Sequence, residues 1–310
     1  MPVRAAAAMQ QVPFGERLYS FARHGDVESI RQLNAEQLRA AANWRHKKNY
    51  GQTPVWTAAK YGRVAVVSLL LERGASAVQT DDFGMNALHI AASEGKTLVV
   101  GAILDAQPAL VNVGTTPGGC TALYLACMNG REAVVRCLLA RGANADAVDD
   151  NLFSPLMAAT CGNQIACCEE LLKRDVSLEA ANCEGDAALH LAARRGKTEV
   201  LRWLLLQGAS GARENARGQI ALEVAEEARQ QAALQVLRNP PRLSGLPRWR
   251  PSLHAAFPPA FRQQARELVR LMTRLRSRRS VPRGPLWMIP NDIVLIMVRA
   301  LADLYRNAND

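Results

Sequence analysis

No segment of this 310-residue chain is apolar for long enough to cross a bilayer. Near its end the run 293–298 (IVLIMV) is six residues, and a spanning helix needs about 20. The opening MPVRAAAAMQQVPFGE is too short in apolar residues for a secretory signal and too poor in basic ones for a good transit peptide. The seven cysteines, Cys120, Cys127, Cys137, Cys161, Cys167, Cys168 and Cys183, contain no CxxC and no paired-histidine spacing. That pattern lacks the usual signature of a zinc site or redox motif and fits reduced, mostly buried thiols in a cytoplasmic or nuclear protein. GxxxxGK[ST], HExxH, GxSxG and a GxGxxG after a strand are all missing, so the expectation is no catalytic residue, no metal and no cofactor.

Hydrophobic residues make up 49% and charged residues 21%, close to globular averages, which excludes a largely disordered chain. The length exceeds what one compact core usually covers and points to two parts or a repeat array. Charge marks the division. Residues 240–310 hold 13 Arg, no Lys and 4 acids, so +9 of the total +10 sits there. The boundary lies near Pro240-Pro241.

Six similar units precede that boundary. An apolar anchor followed by a small-residue pair and a turn residue falls at Val55, Leu88, Leu123, Leu156, Leu189 and Leu222, with spacings of 33, 35, 33, 33 and 33. Each unit reads as turn, short helix, tight turn, longer helix and loop. Ala91-Ala92 and Ala192-Ala193 let first helices approach closely. Gly62, Gly95, Gly130 and Gly196, with Asn163 in the fifth unit, sit where a left-handed residue ends the first helix. Val66-Val67 with Leu70-Leu71, Val134-Val135 with Leu138-Leu139, and Val99-Val100 form the apolar face of the second helix. One unit cannot bury that face alone, but a stack can.

The pattern resembles the ankyrin repeat. The family's Thr-Pro-Leu-His motif is approximated by Thr53-Pro54-Val55-Trp56, Asn86-Ala87-Leu88-His89, Thr121-Ala122-Leu123-Tyr124, Ser154-Pro155-Leu156-Met157 and Ala187-Ala188-Leu189-His190. Gly-Ala pairs follow the second helix at Gly74-Ala75, Gly142-Ala143 and Gly208-Ala209. Residues 18–34 look like a seventh, N-terminal unit with a longer connecting loop. Ile220-Ala221-Leu222-Glu223 with Arg229 looks like a polar cap. The resemblance covers residues 14–240. It implies an all-α ankyrin-repeat solenoid with hairpin tips.

The same resemblance makes His89 and His190 structural, bonding the backbone of the adjoining turn. It implies a non-catalytic scaffold or adaptor, a monomer that binds a protein on its concave face. Turn tips and the exposed side of the first helices supply that face: Tyr50, Gln52, Lys60, Tyr61, Asp82, Phe83, Met85, Glu94, Met128, Asn129, Asp150, Asn151, Phe153, Glu184, Asp186, Arg194 and Arg195. Six of these are aromatic or Met, types enriched at interfaces. Their mixed charge argues against nucleic acid.

Residues 240–260 read as a proline-rich linker and 261–310 as a basic two-helix segment, after a flexible stretch 1–13 and the array 14–239. Phe261, Ala265, Leu268, Met272 and Leu275 form one stripe beside a basic row, Arg262, Arg266, Arg270 and Arg274. Asn291 is placed to cap a final helix bearing Ile293, Ile296 and Met297. Three readings stay open: an extra cap on the repeats, a basic surface for acidic membrane, protein or RNA, and an adaptor-docking module. The last rests on residues 286–294 (LWMIPNDIV), which resemble an F-box opening and are similar to SOCS-box tails. That resemblance implies a ubiquitin-ligase substrate receptor docking through Pro290, Ile293 and Ile296, with Ile289 replacing the family's Leu.

Overall fold

The computed structural model describes residues 13–239 and Pro241. The rest of the linker and the two-helix segment, with Arg262, Arg266, Arg270, Arg274, Pro290, Ile293 and Ile296, lie outside the described residues. The described residues form α-helices, one 3-10 helix and no strand. Isolated antiparallel bridges join His46 to Gln52 and Gly114 to Thr121. Two compact units are present, Met1–Gly162 and Asn163–Asp310.

In the first unit the helices are α1 (Phe14–His24), α2 (Val27–Arg31), α3 (Ala35–Ala41), α4 (Pro54–Lys60), α5 (Val64–Glu72), α6 (Ala87–Ser93), α7 (Thr97–Ala106), α8 (Ala122–Met128), α9 (Glu132–Ala140) and α10 (Pro155–Cys161), with the 3-10 helix Pro108–Asn112 after α7. The second unit holds α11 (Ile165–Leu172), α12 (Ala188–Arg194), α13 (Thr198–Leu206), α14 (Ala221–Glu227) and α15 (Gln231–Arg238). First helices stack on first helices: α1 on α4, α4 on α6, α6 on α8 and α8 on α10, and in the second unit α12 on α14. Second helices make a parallel layer, α5 on α7 and α7 on α9, and α13 on α15. Ala58, Ala91, Ala126 and Ala158 between the first helices are fully buried, as are Val66, Val99 and Val134 on the second. Cys127, Cys161, Cys167 and Cys168 are buried with them, while Cys183 is exposed.

Local chemistry sets each helix end. Thr53, Asn86, Thr121 and Ser154 cap α4, α6, α8 and α10, each accepting from the backbone N–H three residues on. Each first helix ends in a left-handed residue: Gly62 (φ 71°), Gly95 (75°), Gly130 (67°), Asn163 (58°), Gly196 (63°) and Arg229 (55°). Second helices stop at Gly74, Gly142 and Gly208, after which the N–H groups of Ala75, Ala143 and Ala209 reach back to Leu70, Leu138 and Leu204. The long connection after the N-terminal unit is not a plain loop. It contains α3, opened by a reciprocal cap in which Asn34 accepts from the Gln37 N–H and Gln37 accepts from the Asn34 N–H.

Both first helices of the second unit lack a side-chain cap, at Ala187 and at Ile220. Ala187 has the extended backbone of a cap residue (φ −82°, ψ 171°), nearly that of Thr53 (−90°, 164°), but no oxygen to accept with. Ala187→Thr should stabilise the fold by about 1 kcal/mol. A urea titration would show a higher midpoint at unchanged slope. An unchanged or lower midpoint would mean that the buried surroundings of Ala187 do not admit the hydroxyl.

Candidate functional site

The tips are built on short polar side chains. Asp81 Oδ1 accepts from the N–H groups of Phe83 (3.0 Å) and Met85 (2.9 Å). Asp149 repeats this with Asn151 and Phe153, Asn182 with Glu184 and Asp186, and Asn215 with Arg217 and Gln219. A backbone bond closes each tip, from His46 to Gln52, Asp81 to Met85, Thr115 to Cys120, Asp149 to Phe153, Asn182 to Asp186 and Asn215 to Gln219. Burial raises the Asp81 carboxyl above its usual range, against the pull of the Met85 and Phe83 N–H groups. Backbone bonds also tie tip to tip: Asp82 N–H to Tyr50, Thr116 to Gly84 and Asp150 to Gly118 in the first unit, and Ala216 to Glu184 in the second.

These rigid tips carry exposed apolar side chains in the first unit. Tyr50 is 59% and Phe83 60% exposed, their rings 5.2 Å apart, and the Arg45–Asp82 ion pair (2.8 Å) bridges the same two tips. Tyr61 and Met128 are exposed at the ends of first helices, with the Arg23 guanidinium 5.4 Å from the Tyr61 ring centroid. Lys60, Met85, Glu94 and Phe153 are half-buried.

The second unit departs from the expected surface at Asp186. The tip spacing puts it with Met85 and Phe153, yet it is fully buried. It accepts from Asn215 Nδ2 (2.9 Å), and Arg194 Nη1 lies 2.7 Å from its other oxygen and 3.0 Å from Glu184. Arg194 is therefore half committed to the fold, while Arg195 is exposed.

His89 and His190 are fully buried. Nδ1 of His89 accepts from the Asn86 N–H (3.2 Å), and Nε2 donates to the Val113 carbonyl (2.8 Å). His190 bonds Ala187 and Gln219 in the same way. Burial lowers the His89 pKa, so the ring is neutral, and both of its nitrogens are occupied. Neither histidine is free to act as a base.

Two features escape a reading of the motifs alone. Leu152 is 48% exposed and left-handed (φ 60°), in the tip slot that Gly84, Gly185 and Gly218 fill elsewhere (74°, 76° and 73°). Aligning the tips would have exposed the substitution. The second is a row of cations behind the turn glycines: Arg63 Nε donates to the Arg23 carbonyl (3.2 Å) and Arg131 Nε to the Ser93 carbonyl (2.9 Å). A net charge near zero over the array hides such a row.

Comparison with known proteins gives a consistent picture. A three-copy ankyrin-repeat profile matches residues 18–112 and 106–182, and a single ankyrin repeat matches 184–218. Mouse B-cell lymphoma 3 protein homolog is 33% identical over 184 residues, 58% of this chain and 41% of that protein. The transient receptor potential cation channel subfamily A member 1 homolog of Caenorhabditis elegans is 29% identical over 175 residues, 56% of this chain and 14% of the channel. The chain thus spans less than half the length of these curated relatives. Among solved structures, the ankyrin repeat domain of Bcl-3 (TM-score 0.59, 29% identity) aligns with 72% of this chain and 97% of its own. The ankyrin repeat domain of human ASB11 (TM-score 0.59, 25% identity) aligns with 73% and 99%.

Proposed function

This chain belongs to the ankyrin-repeat family, and from that premise we propose that it is a non-catalytic scaffold or adaptor, a monomer of the cytoplasm or nucleus, that holds a protein partner on its tips and first helices. The observation that carries this reading is the set of apolar side chains held out to solvent by bonded tips, above all Tyr50, Phe83 and Leu152. Side chains of this kind, pre-ordered before contact, are what a protein interface needs. Leu152 adds weight. A left-handed backbone costs a leucine about 1–2 kcal/mol relative to glycine, and about half of the side chain stays open to solvent.

The test is affinity purification with mass spectrometry, using the whole chain and its Phe83→Ala and Leu152→Gly variants. Loss of the same partner from both variants is expected. Leu152→Gly should also raise folding stability by about 1 kcal/mol, so weaker capture cannot be a folding defect. Full retention of every partner by both variants would remove the tips from the binding surface.

A further inference from the structure

Behind the first-unit turns, five cations stand close together with few carboxylates to balance them. Arg23, Lys60, Arg63, Lys96 and Arg131 come from four successive repeats. Their alignment is fixed by contact. Arg63 lies over Gly25, Lys96 over Gly62 and Arg131 over Gly95, each side chain crossing the preceding turn. The bonds of Arg63 and Arg131 to the Arg23 and Ser93 carbonyls hold the row in register. None of the five forms an ion pair among the described residues, whereas Arg45, Arg136 and Arg141 all do. Three carboxylates neighbour the ridge: Asp26, turned onto the Ser29 N–H and hydroxyl, Glu94, and Glu132, which follows Arg131 and is paired with Arg136 at 2.7 Å. Tyr61 and Met128 stand between the charges with exposed apolar surface.

We propose that this ridge binds an acidic peptide segment of the partner in extended form. The inference rests on the partner-binding reading above and gives that partner a chemistry. Stacked helices lie about 8–10 Å apart, so four repeats span roughly 24–30 Å. An extended chain advances about 3.3 Å per residue, so the ridge matches about seven to nine residues, with an Asp or Glu at about every third position. Tyr61 and Met128 then contact the side chains between. A nucleic-acid strand places charge more densely, once per about 3.4 Å of duplex axis, and would set phosphate against Glu94. The chain's own segment 240–310 carries +9, which the ridge repels, so the occupant is another molecule.

A display library of random nine-residue peptides, selected on the full-length protein, tests the proposal. The selected peptides should be enriched in Asp and Glu at three-residue intervals, and their binding should weaken as salt rises. The double variant Arg23→Glu, Lys96→Glu should weaken the best peptide about tenfold; neither side-chain head takes part in a hydrogen bond. If that variant misfolds, Arg23→Gln, Lys96→Gln should weaken it about threefold. Peptides without acidic enrichment, no selected peptide at all, or unaltered affinity in a folded charge variant would each overturn the ridge. So would a single-stranded oligonucleotide that binds more tightly than any selected peptide and is lost with the same variants. A partner lost on Phe83→Ala but kept by the charge variants would sink the ridge and leave the tip reading standing. A partner kept by Phe83→Ala and Leu152→Gly but lost by the charge variants would do the reverse.

Discussion

Gly84→Ala is expected to cost about 3 kcal/mol of folding stability, and Gly218→Ala only about 1. Both glycines occupy the same slot of their tips at almost the same angle, φ 74° and 73°. Their surroundings separate them. A Cβ on Gly84 would overlap the backbone carbonyl of Thr116 in the neighbouring tip, while one on Gly218 meets nothing within 4 Å. The backbone angle alone accounts for about 1–2 kcal/mol. The remainder is the displacement of a tip that its own bonds hold in place, among them Thr116 N–H to the Gly84 carbonyl. Urea midpoints of the two variants measure the difference. Equal losses would mean that adjacent tips slide past each other freely and that only the backbone angle matters.

His89→Ala should cost about 3 kcal/mol near neutral pH. It leaves a cavity and strands the buried Asn86 N–H and the Val113 carbonyl. The same ring gives a pH signature. Its folded pKa lies below the ordinary 6.5 because burial disfavours the charged form. The unfolded chain therefore binds the proton more readily, and stability contributed by His89 is complete above pH 6.5. It declines as the solution is acidified from 6.5 down to the folded pKa, by at most about 1.4 kcal/mol per unit. Comparing wild type with His89→Gln between pH 7.5 and 5 isolates this contribution from other groups. The gap between the two should narrow on acidification. Parallel curves would show that His89 keeps its proton balance on folding.

The stack itself could be read from residue order, because its determinants are local. Each first helix ends seven residues after its anchor, at a glycine or asparagine in most units, and every such site is left-handed. The buried alanines and valines followed the expected faces. What failed to show was anything depending on a neighbour's position. Asp186 shares its spacing with half-buried tip residues, and only the arrival of Arg194 and Asn215 explains its burial. Leu152 looks like an ordinary loop residue until its backbone angle is known. The cations from Arg23 to Arg131 are scattered over more than a hundred positions of sequence and meet only in the stack. The helix α3 was within reach, since Asn34 and Gln37 spell a cap, but so short an element has no periodicity to announce it.

The closing bonds of the tips carry a historical consequence. Four tips close over five residues, the one from Thr115 to Cys120 over six, and the one from His46 to Gln52 over seven. The segment from anchor to turn never varies. Lengthening has thus been admitted where closing a slightly larger loop costs a few tenths of a kcal/mol, and refused where a register of packed helices would break. The longest tip is the one that presents Tyr50. New surface for recognition can therefore be acquired by this lineage one inserted residue at a time, without renegotiating the core, and the tips are where related chains should diverge first.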